Sequence, residues 1–512
     1  MIVDEMPFLK LKKQCLSVPP CLRGSNIRQL KNDKKMPSIR KLKIGLFGIG
    51  LDAYWEQFPG LKDTLESYLQ IVSDRLKEFG EEVVDLGLID SSQKALEAGH
   101  QFRQADVDII FLYVTTYALS STVLPVVQRA KVPVIILNLA PEATIDYDTF
   151  NKLTDRTSMT GKWLSFCSAC PVPEIANVCK RAGIDFHEIT GMLHNDTECW
   201  VEIKEWLEAA KVAHTMSHNR LGAMGHYYGG MLDIYTDVTL QLAVFGGHVE
   251  IIEVDELSAL RKQITAEQTA ARCDHFYEVF DVGADCTFEE LEKAAVTSVA
   301  LDKLIAKYDL GSMAYYYKGT PGSENEATIE SIILGNSLLT ARSIPIAGEY
   351  EIKNAQAMKI MDAFGAGGSF TEYYAMDFND DVVLMGHDGP GHLKIAEGKI
   401  KVRPLKVYHG KVGSGLSVEM MVKNGPITCL SVVETQNGKL VLLVAEGESV
   451  AGPILEIGNT NSRYKFSIGA RKFVNAWNSH GPAHHCAVGI GHISSKIKKL
   501  GDILGIETVV VC

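Results

Sequence analysis

The chain has 512 residues, enough for about three domains of ordinary size. Hydrophobic residues make up 46% of it and charged residues 22%, a globular composition that excludes a mostly disordered or fibrous chain. The net charge of −12 argues against a general nucleic-acid-binding protein, which presents a basic face to phosphates. Because the sequence contains no run of about 18 apolar residues, no membrane span is expected.

The N-terminus differs in charge from the rest of the chain. Residues 1–43 contain eleven lysines and arginines against three acids, a net charge of +8. This stretch lacks the continuous apolar core of a secretory signal peptide. We interpret residues 1–41 as a disordered basic extension, with a transit segment or a basic arm as the alternative. Met36 directly precedes the first structured pattern and is a candidate for the true start.

The cysteines are typical of a reducing compartment. Eleven cysteines, an odd number, are scattered through a large chain without a recognisable signal peptide, so reduced thiols and a cytoplasmic location are expected. Cys167 and Cys170 form a lone CxxC motif, without a second pair at the spacing of a zinc ribbon. We interpret these two cysteines as buried or incidental.

Residues 42–217 alternate between strand and helix patterns. The segment 108–114 reads Asp-Ile-Ile-Phe-Leu-Tyr-Val, a fully buried strand, whereas residues 61–79 carry leucines at helical spacing. Near-continuous apolar strands separated by helices indicate a parallel sheet that is covered on both faces. We therefore predict a doubly wound α/β domain.

Two further regions follow, which differ in their predicted secondary structure. Residues 218–365 form a mixed region, in which Thr287 and Glu290 have the spacing of a capping box at the start of a helix. From residue 366 onward strands dominate, and Asn437-Gly438 between two apolar runs predicts a β-hairpin. Many short strands with glycine turns predict an antiparallel barrel or sandwich.

The first strand ends in a glycine-rich loop, Gly48–Ala53, that satisfies the GxGxx[GA] pattern. A dinucleotide site needs a helix opening directly from such a loop, but Pro59 places the helix start after Gly60. We interpret the loop as an ordinary strand-to-helix connection, and a nicotinamide or flavin oxidoreductase is the alternative. Tyr54 and Trp55 follow this strand and could line a crevice at its carboxyl end.

Five carboxylate and imidazole groups in the C-terminal half lie beside glycine or aromatic residues instead of in charged runs: Glu349, Glu372, His387, His484 and His485. Two carboxylates buried together repel each other, and a divalent cation removes that cost. Oxygen and imidazole ligands without thiolate favour Mn²⁺, Co²⁺ or Mg²⁺ over a structural zinc. Because neighbours on a strand face opposite sides, only one of the two adjacent histidines is expected to bind metal.

At these residues the chain resembles the L-arabinose isomerase family, which is related to the L-fucose isomerase fold group. The family's Ala-Gly-Glu segment is matched by 347–349, and its Gly-Gly-x-Ser-Phe-x-Glu-x-Tyr segment, one residue shorter, by 367–374. The metal-binding histidine of the family falls on His387, and its Ala-His-His segment falls on 483–485. The resemblance covers residues 43–512 and is strongest from residue 345.

The resemblance implies an architecture of three domains. These are an N-terminal flavodoxin-like parallel sheet (42–217), a central α/β domain (218–365) and a C-terminal antiparallel β-barrel (366–512). It also implies a Mn²⁺-dependent homo-oligomer, a hexamer or another trimer-based assembly, with each active site between two subunits.

The reaction implied is aldose–ketose isomerisation, L-arabinose to L-ribulose, through a cis-enediol. In these roles Glu349 and Glu372 are the catalytic carboxylates and also bind the metal, and His387 and His485 complete the metal ligands. The predicted substrate-binding residues are Tyr54, Trp55 and His484.

The sequence departs from the family where the sugar is recognised. The family's Gln-His-Leu-Tyr loop is replaced by Leu51–Trp55, and its histidine after the fourth strand is replaced by Asn138–Pro141. L-Fucose, D-arabinose and D-galactose are therefore alternative substrates. A non-catalytic sugar-binding protein on the same scaffold is the alternative from another functional class.

Overall fold

The structure is a computed structural model that describes residues 41–408, 411–412 and 414–512. Apart from Lys41, the predicted basic extension (1–41) lies outside these residues, so its proposed disorder stays a prediction. Within the described ranges, no helix has the length and apolar composition needed to cross a membrane.

A five-stranded parallel sheet forms the N-terminal part of the fold. Its strands are β1 (Lys43–Ile49), β2 (Glu82–Ile89), β3 (Ile109–Tyr113), β4 (Val134–Ala140) and β5 (Phe186–Met192). The strand order is β2-β1-β3-β4-β5, which is the flavodoxin-like order. All five residues of β3 are buried because helices cover both faces of the sheet. The predicted doubly wound, flavodoxin-like sheet is thus confirmed.

Eight helices and one short 3₁₀ helix, Ser120–Thr122, accompany this sheet. The α-helices are α1 (Ala53–Gln57), α2 (Leu61–Glu78), α3 (Ser92–Ala105), α4 (Leu124–Ala130), α5 (Tyr147–Phe150), α6 (Arg156–Leu164), α7 (Val172–Arg181) and α8 (Thr197–Ser217). Helix α2 begins directly after Gly60, as the position of Pro59 predicts. The prediction that no helix opens from the glycine-rich loop itself is wrong, because the five-residue α1 begins at Ala53, where the Asp52 side chain accepts a hydrogen bond from the Ala53 amide.

The middle of the chain forms a second parallel sheet. Its four strands are β6 (Arg220–Gly225), β7 (His248–Ile252), β9 (Ser312–Tyr316) and β10 (Ile346–Ala347), in the order β10-β9-β6-β7. The two-residue strand β8 (Asp281–Val282) lies in the same part of the chain but pairs with a strand of the C-terminal part. The helices are α9 (Val238–Phe245), α10 (Val254–Arg261), α11 (Ala266–Val279), α12 (Phe288–Tyr308), α13 (Glu324–Glu330), α14 (Ile333–Ala341) and α15 (Ile352–Ala363).

Strands dominate from residue 367. They are β11 (Gly367–Asp377), β12 (Val382–His387), β13 (Lys401–Pro404), β14 (Val407–Tyr408), β15 (Lys411–Val412), β16 (Leu416–Glu419), β17 (Gly425–Glu434), β18 (Leu440–Val450), β19 (Thr460–Phe466), β20 (His485–Ile490) and β21 (Glu507–Val510). Two helices accompany them, α16 (Ala470–Ser479) and α17 (Ser494–Leu504).

Six of these strands close into an antiparallel β-barrel. The ring runs β17-β20-β11-β12-β19-β18 and closes because β18 pairs with β17 again, in register from Gly425–Ser449 to Glu434–Leu440. Strand β21 adds to β18 in parallel, and β13 connects β16 to β8 in a small separate sheet. The structure thus selects the barrel from the two antiparallel architectures that the pattern predicts.

Two local predictions are confirmed. Asn437 and Gly438 lie in the turn between β17 and β18, where Gly438 has a φ of 65° that favours glycine. Thr287 and Glu290 form both hydrogen bonds of a capping box at the start of α12.

One hydrophobic cluster extends from the central sheet into the barrel. It includes Leu301 of α12 and Met313 of β9 together with Val383 of β12 and Leu443 of β18. Helix α15 lies between the two sheets and packs against β9, β11, β17 and β20. The three largest sheets fall within the three predicted domain ranges, whereas the small sheet of β16, β13 and β8 joins the second range to the third. The domain boundaries stay predictions. This packing brings the end of β10 close to the barrel strands.

Candidate active site

Three adjacent barrel strands supply three of the predicted site residues. Glu372 on β11 lies opposite His485, the first residue of β20. On its other side Glu372 faces Gly386 of β12, the residue before His387. A side chain at Gly386 would overlap the carbonyl oxygen of Thr460 on β19, so this close strand pairing requires glycine. Cross-strand register therefore gathers Glu372, His387 and His485.

Phe370 packs against both of these histidine rings. Its ring centroid lies 4.5 Å from that of His387 and 4.3 Å from that of His485. Phe370 and Glu372 share one face of β11 because side chains alternate along a strand. We did not predict this contact, although the two-residue spacing from Glu372 is a signal for it. The buried phenyl ring restricts the orientation of both imidazoles.

Glu349 reaches the same place from the central sheet. It follows β10, and both Glu349 and Tyr350 have left-handed backbone, with φ values of 56° and 64°. Such conformations cost about 1–3 kcal/mol each and persist only where the surroundings enforce them. A hydrogen bond of 3.0 Å from the Tyr350 amide to the Tyr315 carbonyl holds the turn. The strained turn precedes α15, at the carboxyl end of a parallel strand.

The four predicted metal ligands come together. Glu349 Oε2 lies 3.5 Å from His485 Nε2, and Glu349 Oε1 lies 3.8 Å from His387 Nε2. Glu372, His387 and His485 each offer a ligand atom within 4.8 Å of the others. Glu349, His484 and His485 form a second such group. His485 belongs to both groups and therefore connects the two carboxylates.

A buried carboxylate determines which nitrogen of His485 is protonated. Glu351 Oε2 lies 2.5 Å from His485 Nδ1, and both side chains are almost fully buried. In its ionised form Glu351 only accepts hydrogen bonds, so Nδ1 then carries the proton and Nε2 has a free lone pair. Carboxylates that contact ligating histidines in this way fix the ring for metal binding. We did not predict this role for Glu351, which is 134 residues from its partner.

The buried lone pairs fit a bound cation. Glu349 Oε2 and His485 Nε2 face each other, and neither has a hydrogen bond among the residues that the structure describes. Two opposed acceptors repel unless a proton or a cation lies between them. Burial, and then the charge of Glu372, raise the pKa of Glu349 to about 8. Burial also raises the pKa of Glu351 to about 8 and lowers that of His485. The donor set suits a divalent cation with oxygen and nitrogen ligands.

The surroundings of His387 support two tautomers. The Gly389 amide lies 3.0 Å from Nδ1 and donates to it, which requires a lone pair there. Asp388 Oδ1 lies 3.4 Å from the same nitrogen and requires a proton there. A metal ion at Nε2 would select the second arrangement, with Nδ1–H directed at Asp388.

The expectation that His484 and His485 face opposite sides is wrong. His484 Nε2 lies 3.8 Å from Oε2 of both Glu349 and Glu372, so both rings face the same carboxylates. The reason is that β20 begins at His485, so strand alternation does not apply to the residue before it. Asp233 contacts His484. Burial raises the pKa of Asp233, but the hydrogen bonds from His484 outweigh burial and leave this pKa below its usual value.

Tyr54 and Trp55 lie at the carboxyl edge of the N-terminal sheet. The indole of Trp55 donates a 2.9 Å hydrogen bond to Asp90, and the Tyr54 ring packs on Phe58. The contacts that the structure shows for these two side chains are with the N-terminal sheet and not with Glu349 or its neighbours. Their role in substrate binding stays a prediction.

A pocket adjoins the cluster. Its lining includes Glu349, His387 and Asp388, and most of the other lining residues are aromatic or aliphatic. They include Tyr315, Tyr316, Tyr317, Ile329, Ile333 and Leu405. A small polar molecule bound to the cluster could extend its carbon chain along these side chains.

The comparison with known proteins agrees with the geometry. Residues 367–507, which run from the first residue of β11 into β21, match the family described as the L-arabinose isomerase C-terminal domain. This match, which covers the barrel strands, supports a divergent member of the L-arabinose isomerase family. The matched range includes Glu372, His387, His484 and His485. Glu349 lies before this range, so its place in the site depends on the packing described above.

Individual similarities are distant. A protein named L-arabinose isomerase from Saccharophagus degradans is 23% identical over 286 residues, which are 52% of this chain and 55% of that protein. The chain therefore spans just over half the length of this relative. Solved structures of D-lactate dehydrogenase from Escherichia coli and Salmonella have TM-scores of 0.15 and 0.12 at 10% identity. They cover 64% and 63% of this chain and 94% and 95% of their own, and the scores are too low to bear on the fold.

Proposed function

We propose that the protein is a divalent-metal-dependent aldose–ketose isomerase that converts L-arabinose to L-ribulose through a cis-enediol. The observation that supports this proposal is the convergence of Glu349 from the central sheet with Glu372, His387 and His485 from the barrel. Buried carboxylates opposed to an imidazole lone pair are costly in a purely structural role. They suit a site that binds a metal and moves protons.

Four side chains would hold Mn²⁺, for which Co²⁺ or Mg²⁺ could substitute: Glu349, Glu372, His387 and His485. When bound, the ion supplies Lewis-acid polarisation of the sugar oxygens at C1 and C2. One of the two carboxylates takes the C2 proton and returns a proton to C1, and the other assists proton transfer between the two oxygens. The pocket beside Tyr316 would hold the carbons beyond C2.

The subunit arrangement belongs to the same proposal. Tyr54 and Trp55 lie half-buried at the carboxyl edge of the N-terminal sheet, and in an oligomer with shared active sites they would contact the sugar bound by a second subunit. A homo-oligomer, either a hexamer or another trimer-based assembly, is the proposed state. A cytoplasmic location remains a prediction from the cysteine content.

An aldose panel assayed for ketose, with and without Mn²⁺, tests the proposed function. We expect Mn²⁺-dependent turnover of L-arabinose, with side activity on D-galactose, which shares its configuration from C2 to C4. L-Fucose and D-arabinose test the altered recognition loops. Robust turnover of one of these two sugars without L-arabinose turnover would contradict the substrate but not the reaction class.

Two further outcomes separate the other functional classes. Sugar and Mn²⁺ binding without turnover of any aldose would favour a non-catalytic sugar-binding protein. Full activity in metal-free protein, verified by elemental analysis, would contradict the metal-dependent mechanism. A nicotinamide titration and the absorbance of the purified protein test the oxidoreductase alternative at the glycine-rich loop Gly48–Ala53.

A further inference from the structure

Asp233 connects the middle of the chain to the histidine pair of the site. It lies in a one-turn 3₁₀ helix, Leu232–Ile234, in the loop after β6. Its Oδ2 accepts hydrogen bonds from the backbone amide of His484, at 2.9 Å, and from Nδ1 of the same residue, at 2.5 Å. Its carbonyl accepts a 2.5 Å hydrogen bond from the buried Lys353 of α15. Helix α15, which follows Glu349, is thus hydrogen-bonded to Asp233 through Lys353, and Asp233 in turn is hydrogen-bonded to His484.

These contacts determine which side of the His484 ring faces the site. A carboxylate accepts but does not donate, so Nδ1 carries a proton, and Nε2 is the ring nitrogen that faces the site. That nitrogen lies 3.8 Å from Oε2 of Glu349 and 3.8 Å from Oε2 of Glu372. Both distances are longer than a hydrogen bond. His484 therefore directs Nε2 at the space between the two carboxylates.

The loop does not depend on the Asp233 carboxylate for its other anchors. Thr236 Oγ1 donates a 2.6 Å hydrogen bond to Glu434 of the barrel. The side chain of Asp237 caps the first turn of α9 by accepting from the amides of Thr239 and Leu240. Replacing the Asp233 carboxylate should thus release His484 without unfolding the loop.

We propose that Asp233 is a positioning residue of this site, which holds His484 so that Nε2 forms a hydrogen bond with a sugar hydroxyl between Glu349 and Glu372. The inference rests on the proposed function, and it assigns His484 to the sugar instead of the metal. Asp233 itself touches neither; it acts through the imidazole. Asp233→Asn replaces the charged acceptor with a neutral amide oxygen, which holds the backbone amide and Nδ1–H of His484 more weakly and so loosens the ring.

A double-mutant cycle with four forms of the full-length protein tests this inference: wild type, Asp233→Asn, His484→Gln and the double variant. Each is assayed for kcat and KM on L-arabinose, for Mn²⁺ affinity by equilibrium dialysis, and for L-arabinitol binding by calorimetry with Mn²⁺ present. We expect Asp233→Asn to lower kcat about 10-fold or more, as removal of a histidine-orienting carboxylate commonly does. We expect it to have no further effect in the His484→Gln background, because it acts only through that ring.

Asp237→Asn is the matched control, since it changes an aspartate of the same loop that only caps a helix. It should leave kcat and the thermal midpoint nearly unchanged, because asparagine caps a helix about as well as aspartate, and its effects should add to those of His484→Gln. Additive effects of Asp233→Asn and His484→Gln in an active enzyme would overturn the inference alone. A loss of Mn²⁺ affinity in Asp233→Asn would place His484 among the metal ligands and also overturn it.

The L-arabinitol measurement separates this inference from the proposed function. If the wild type turns over no aldose but binds L-arabinitol, a non-additive loss of binding in the same cycle supports the positioning role while the isomerase proposal fails. If the wild type neither turns over an aldose nor binds L-arabinitol, both are overturned.

Discussion

Glu349 combines three unfavourable features in one residue. Its backbone is left-handed, its side chain is largely buried, and Glu372 and Asp388 add negative charge nearby. Each feature lowers the stability of the protein, and none of them improves packing. Such a combination is typical of positions where function outweighs stability.

Glu349→Gln and Glu372→Gln should each lower kcat by at least about 10²-fold, because an amide cannot accept the C2 proton and is a weaker metal ligand. In metal-free protein, Glu349→Gln should keep or raise the thermal midpoint, since it removes charge repulsion from a buried site. Steady-state kinetics and thermal unfolding measure the two effects. Glu448→Gln, an exposed position on β18, is the control that should change neither. Wild-type kcat in either site variant would contradict the catalytic assignment.

His392 should make the protein sensitive to acid. It is buried, and neither ring nitrogen has a hydrogen bond among the described residues, so burial lowers its pKa from 6.5 to about 4. Between these values the unfolded chain binds a proton that the folded protein does not bind. The contribution of the neutral ring to stability is thus complete above pH 6.5 and is lost as the pH falls towards 4, by about 3 kcal/mol in total.

The measurement is the thermal midpoint at pH 7 and pH 5. His392→Leu should lose less stability than the wild type over this interval, because it has no proton to bind in the unfolded state. His100→Leu, which replaces an exposed histidine on α3, should behave as the wild type does. An equal acid sensitivity of His392→Leu and the wild type would show that other groups control it.

At the scale of elements, helix α12 depends on its first turn. The Thr287 side chain accepts a hydrogen bond from the Glu290 amide, and the Glu290 side chain accepts one from the Thr287 amide. The helix then buries Leu291, Leu301 and Leu304 in the hydrophobic cluster that extends from the central sheet into the barrel. Because α12 packs on both α11 and α14, fraying at its start exposes apolar contacts beyond the first turn.

Thr287→Ala should destabilise the protein by about 1 kcal/mol through loss of the cap, with unchanged kcat. Thermal or urea unfolding measures the stability change. Glu292→Ala lies on the same helix at an exposed position outside the box and should cost little. Equal stability of the Thr287 and Glu292 variants would mean that packing alone holds the helix start.

The whole molecule brings its site together from two sheets. Glu349 arrives at the end of β10 in the central sheet, whereas the other three predicted ligands belong to the barrel. A metal ion bound by all four would connect the two sheets in addition to their common hydrophobic cluster.

Mn²⁺ should therefore stabilise the whole fold. At 100 times its dissociation constant, an ion that binds only the folded state adds about 2.7 kcal/mol to the free energy of unfolding. We expect EDTA to abolish activity and lower the thermal midpoint, and Mn²⁺ to restore both in a concentration-dependent way. His485→Ala should weaken this effect more than His484→Ala, because Glu351 fixes His485 with its lone pair towards Glu349. A thermal midpoint that does not respond to Mn²⁺ would contradict binding at this site.

Local patterns in the sequence were sufficient for several of the elements. The apolar run of β3, the leucine spacing of α2, the Thr287 capping box and the Asn437-Gly438 turn each act over a few residues. Neighbouring residues determine whether a short segment can bury one face and satisfy its hydrogen bonds, so such features can be inferred without long-range information. Resemblance to a family then indicated Glu349, Glu372, His387 and His485 before any distance was known.

Only the tertiary structure decided how these pieces meet. Closure of the barrel depends on β17 pairing with β18 and with β20, and the strained turn at Glu349 depends on its packing beside β9. The contact between Asp233 and His484 spans 251 positions of the chain. Strand alternation failed at His484 because the strand begins one residue later, where pairing with β11 starts. Long-range pairing of this kind follows from the burial of whole surfaces against each other, and no short segment of the sequence carries that information.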